Sequence, residues 1–123
     1  MLVTLGDFAS EQTQGTQKIF NAITQLLNYT ATHPNATIRY HKRDMVLHIH
    51  SDGSYLSALK ARSRAGGHFF LYSYSPDPAK CTLNCPIHVI AKILRNVMGS
   101  ASEKEIGASY TNRQEAIPIC TAL

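Results

Sequence analysis

The 123-residue sequence predicts an α+β domain: a helix, then a twisted, mainly antiparallel sheet, then a closing helix. Three patterns carry that prediction. Apolar side chains recur every three or four residues from Thr16 to Thr30, residue kinds alternate from Met45 to Asp52, and the aromatic run HFFLYSY follows Gly66-Gly67.

Residues 1–15 are polar and without period, and are expected to form a flexible N-terminal arm. From Thr16 onward, Ile19, Phe20, Ile23, Leu26, Leu27 and Thr30 mark one face of an amphipathic helix that ends before His33-Pro34-Asn35. Thr37 to His41 is short, β-branched and aromatic, which suits a short extra strand. After Lys42-Arg43-Asp44, the residues Met45, Leu47 and Ile49 point one way and Val46, His48, His50 and Asp52 the other, so one face of this strand meets a core. Gly53 is expected to end it, and Gly66-Gly67 to open the second strand, which runs into Ser75-Pro76-Asp77-Pro78. Ile87 to Met98 is ambiguous: its spacing fits a helix, its β-branched content a strand. Ser102-x-x-Glu105 reads as a capping box that starts the last helix, with Pro118 as its stop.

Composition narrows the function classes. No apolar run approaches the roughly 18 residues of a membrane span, and MLVTLGDFAS lacks the basic start of a secretory signal, so an intracellular place, cytoplasmic or nuclear, is expected. Cys81, Cys85 and Cys120 have poor zinc spacing and are expected as free thiols. The net charge of +4 permits a polyanionic partner, and Lys60, Arg62 and Arg64 concentrate positive charge within five residues.

HIHSDGSY, His48 to Tyr55, holds the candidate chemistry. A carboxylate after an apolar strand, followed by a small turn, can hold a hard cation beside a phosphate. Asp-Gly is equally a common turn cap. On the same strand face, His48, His50 and Asp52 form a rival set with zinc-like donors, although successive ligands along a strand stand about 7 Å apart.

Ser-Asp-Gly-Ser with the following Gly-Gly strand resembles the ribonuclease H family. The longer stretch SDGSYLSALKARSRAGGHFFL, with the later VMGSASEKEIGA, is similar to the ribonuclease H region of retrotransposon reverse transcriptase polyproteins. The likeness covers roughly Thr16 to Leu123, with the first helix as connector, so that 16–123 is expected as a connector helix plus a partial, truncated ribonuclease H-like domain. It implies that Ile87 to Met98 is a third strand. It also implies that Asp52 and Glu105, in Glu105-Ile106-Gly107-Ala108, match two metal-binding catalytic acids for Mg2+ or Mn2+. The activity implied is two-metal hydrolysis of the RNA strand of an RNA/DNA hybrid, with Lys60, Arg62 and Arg64 as nucleic-acid contacts.

No further acid can join that pair. Asp44 lies eight residues from Asp52, about 26 Å along a straight strand. Glu115 is about 15 Å up the helix from Glu105, and Glu103 is turned about 200° away. Two carboxylates bind magnesium weakly, if at all, so the chain alone is expected to be inactive or nearly so. The first strand should also keep an open edge, covered by Thr37 to His41 or used for a homodimer. From other classes, the alternatives are a non-catalytic module that dimerises through that edge and a His-based zinc protein.

Overall fold

The computed structural model describes residues 1–13, 15–58, 61–73, 77 and 84–123, which divide into two compact units, Met1–Ile38 and Arg39–Leu123. Among them are three helices and one three-stranded antiparallel sheet, an α+β arrangement.

In the first unit, the arm expected at 1–15 is mostly helical: α1 spans Leu2–Glu11, where Leu2, Leu5 and Phe8 recur at three-residue spacing. Gly6 and the β-branched Val3 and Thr4 lower helix propensity and hide that spacing. The second helix, α2 (Gln17–Thr32), starts where the periodicity places it, because Thr16 is extended and its Oγ1 accepts the Ile19 N–H at 3.4 Å. It ends before Pro34, whose ring disfavours helical geometry at His33. This helix groups with α1 in the first unit.

The second unit begins with an irregular segment. No strand forms at 37–41; instead Asn84 clamps His41, its Oδ1 accepting the His41 N–H at 2.9 Å and its Nδ2 donating to the His41 carbonyl at 2.6 Å. Tyr40 Oη donates to the Pro86 carbonyl, and Ser73 Oγ accepts the Asp44 N–H. These bonds tie the segment to the end of β2 and the approach to β3, so Tyr40 to Asp44 does not cover the outer edge of β1.

Strand β1 (Val46–Ala58) pairs antiparallel with β2 (Arg62–Tyr72), and β2 with β3 (His88–Ile93), in the order β1-β2-β3. Two sequence expectations shift here. Gly53 does not end β1; it is the buried residue at the middle of a strand that continues to Ala58. The second strand begins at Arg62, four residues before Gly66. Between them, the register slips between Ser54 and Ala58, with Leu56 left-handed at φ 51° and its N–H bound to Ser63 Oγ. The expected third strand exists over its first half, while 94–98 leave the sheet.

Helix α3 (Ala101–Ala122) returns over β1 and β2. Its cap is two residues earlier than expected: Ser100 Oγ accepts the Glu103 N–H at 3.1 Å, and Glu103 Oε2 accepts the Gly99 N–H at 2.6 Å. Pro118 does not stop it; the helix runs on to Ala122 although Pro118 offers no N–H to Gln114. The side that meets the sheet is Lys104, Ala108, Asn112 and Ala116 at four-residue spacing, while Ile106 (71 % exposed) and Tyr110 (65 %) face outward. Close approach replaces bulk in this contact. A Cβ on Gly67 would stand 1.9 Å from Asn112 Oδ1, and one on Gly53 3.2 Å from Ala108 Cβ. Ala65, Phe69 and Leu94 complete the buried apolar set, with Met98 packed against it.

Candidate functional site

Register and pleat sort the sheet into two faces. Ser51 Oγ accepts from Asn112 Nδ2 at 2.7 Å and Gly53 lies under Lys104 and Ala108, so odd-numbered residues of this part of β1 face α3. Asp52, between them, therefore turns to the opposite face. Its Oδ1 accepts the N–H of the next residue, Gly53, at 2.7 Å, inside β1 and not in a turn, so the turn cap common for Asp-Gly does not form.

Glu105 follows the buried stripe by one position and is half-exposed, with Oε1 2.5 Å from Lys104 Nζ. The same ammonium donates to the Gly53 carbonyl. Glu105 is thus engaged by a cation that belongs to the chain, Lys104, while Asp52, on the other face of the sheet, accepts the Gly53 N–H. A divalent ion at Glu105 would stand about 4–5 Å from the ammonium and be repelled by it. As placed, these residues do not fit a magnesium or manganese pair, and no hydrolytic step follows from them. Two further acids of α3 are occupied as well. Glu103 caps α3, and Glu115 pairs with Lys92 at 3.2 Å and His88 at 3.8 Å.

The two described residues of the basic cluster, Arg62 and Arg64, belong to β2. Lys60 lies outside the described residues. Arg62 is exposed at the start of β2, and Arg64, two residues on, is buried at 7 % exposure, opposite Ser54 on one side and Ile93 on the other. Of these two arginines, Arg62 is thus the more exposed.

The face turned away from α3 carries a row of rings that the sequence reading passed over. His50 stands directly across from His68, and His48 from Phe70. Edge-on contacts link His48 to His50 (4.9 Å between centroids), His48 to Tyr72 (5.4 Å) and His50 to Phe70 (5.2 Å), while His68 stacks on Phe70 at 6.2 Å. The signal was present: His68, Phe70 and Tyr72 alternate along HFFLYSY just as His48 and His50 do along β1, and the hairpin register joins the two rows. The zinc-like set His48, His50 and Asp52 shares this face. Among the described residues, no three His, Cys, Asp or Glu side chains converge as a metal site. Cys85 and Cys120 are free thiols, and Cys81 lies outside the described residues. No helix among the described residues is long and apolar enough to cross a membrane.

No protein-family model, no curated protein and no solved structure matches this chain.

Proposed function

We propose that the second unit is a ribonuclease H-like domain of retroelement origin that binds nucleic acid, with RNA/DNA hybrid as its natural partner, and does not cut it by itself. The observation that carries this reading is topological. Three antiparallel strands in the order β1-β2-β3 are followed by a helix that lays Ala108, of Glu105-Ile106-Gly107-Ala108, on Gly53, of Asp52-Gly53-Ser54. The two stretches that resemble the family's acid motifs therefore belong to one contact.

Two further features support a nucleic-acid partner. The chain carries a net charge of +4, with Arg62 exposed at one end of the sheet. The ring row His48, His50, His68, Phe70 and Tyr72 offers π-faces on which unpaired bases, in a single strand running on from the hybrid, can stack. The engagement of Glu105 by Lys104 supports the non-cutting half of the reading.

The test is fluorescence anisotropy of a labelled RNA/DNA hybrid across a salt series, beside a cleavage assay in millimolar magnesium. Affinity should fall linearly with salt on logarithmic axes, and the hybrid should stay intact. Absence of a salt-dependent affinity ends the nucleic-acid reading. Cleavage that disappears in Asp52→Asn overturns the non-cutting part.

One observation favours a second reading, an interaction module that pairs through β1. No strand among the described residues pairs with the outer edge of this 13-residue strand, and an open edge is a template for another chain. Sedimentation decides: a monomer at all concentrations argues against it.

A further inference from the structure

Lys104 lies on the buried stripe of α3 at 7 % exposure, an unusual place for a lysine. Its stem crosses Gly53, where an added Cβ would meet Cδ at 3.0 Å and Cε at 3.1 Å, and its ammonium is aimed back at protein oxygen. Nζ donates to the Gly53 carbonyl and, at 2.5 Å, to Glu105 Oε1. A main-chain carbonyl and a carboxylate converging on one point are hard oxygen donors of the kind that hold a divalent cation.

We propose that Lys104 is the resident cation of this site: its ammonium stands where a divalent ion would bind between the Gly53 carbonyl and Glu105, and excludes one. The physical reasons are charge and space. An ion in that place would coincide with Nζ, and one on the outer side of Glu105 Oε1 would sit only about 4 Å from it, where two positive charges repel. To remove that repulsion, the lysine would have to withdraw a buried stem from beneath the helix, and Gly53, without a side chain, is what lets the stem lie there. The exclusion stands on this geometry and needs no nucleic acid. It makes Glu105 a partner of the fold: through Lys104, the first turns of α3 are bonded to β1 beside Asp52.

Lys104→Met tests it, because methionine keeps an unbranched stem over Gly53 and Ala108 and removes the charge. Mn2+ binding is followed by water-proton relaxation. Wild-type protein should show no site that depends on Glu105, whereas Lys104→Met should gain one of millimolar affinity that disappears in Lys104→Met/Glu105→Gln. Equal Glu105-dependent binding in wild type and Lys104→Met overturns the proposal, as does a folded Lys104→Met with no gain. A second measurement uses the unaltered chain. Acylation with an amine-reactive ester, read by mass spectrometry, should modify Lys104 far more slowly than exposed Lys92, and the rate at Lys104 should rise in Glu105→Gln. Equal rates at Lys104 and Lys92 in wild type overturn it. Failure of the hybrid-binding assay leaves both results untouched, so the two readings fall separately.

Discussion

The sheet's two faces are built on opposite principles. Under α3, the sheet presents Ser51, Gly53, Ala65 and Gly67, and the helix answers with Lys104, Ala108, Asn112 and Ala116, so contact comes from removing side chains until backbones approach. On the other face, His48, His50, His68, Phe70 and Tyr72 keep their bulk and touch one another, His68 and Phe70 stacked and the other pairs edge-on. The first face tolerates no added atom; the second has rings to spare for a ligand. The comparison teaches that glycine and alanine, beside the buried Phe69, can carry the helix contact while histidine and aromatic rings line the face turned away from it, the reverse of a core-and-surface reading from hydropathy alone.

The largest expected effect is at Gly67. In Gly67→Ala, the new methyl would stand 1.9 Å from Asn112 Oδ1, and Asn112, 2 % exposed, is held by bonds to Ser51 Oγ and the Gly66 carbonyl. The loss should be about 3 kcal/mol by urea unfolding, the upper range of overpacking. Gly67→Ala/Asn112→Ala should cost less than the sum of the two single changes, since they share the contact. A smaller loss, about 1 kcal/mol, is expected for Gly53→Ala, because the nearest atoms belong to the flexible Lys104 stem. The smallest is on the open face, where His50→Ala should leave stability within about 0.5 kcal/mol. The same change should weaken single-stranded RNA binding by about 1 kcal/mol, roughly fivefold, if a base stacks there. Equal unfolding costs at Gly67 and His50 would dissolve the contrast between the faces.

Much of this architecture was legible, for reasons that particular residues make plain. α2 was readable because its apolar positions repeat at helical spacing and Thr16 is a good cap; β1 was readable because Val46, His48, His50 and Asp52 alternate against Leu47 and Ile49. What escaped depends on contacts across the chain. Gly53 and Gly66-Gly67 look like strand ends locally, but Gly53 and Gly67 are strand interiors whose missing side chains admit α3. Ser102-x-x-Glu105 and Ser100-x-x-Glu103 are equally good capping boxes on paper, and the structure uses the second, so Glu105 is free to meet Lys104. The candidate site was legible as a pair of acids. The lysine that engages Glu105 was not, because Lys104 in a polar run reads as solvated until the helix face is known.

The amide of Asn84 deserves a last consequence, one of chemical ageing. Its nitrogen and oxygen serve the two main-chain groups of His41 in the way a neighbouring strand would, inside a site that is 8 % exposed. Hydrolysis to aspartate exchanges the donor for an acceptor facing the His41 carbonyl and adds a charge with little water around it. The hold on His41 thus loses its donor, and that loss over time would be written as a gain of one mass unit and a loosened segment at 40–44.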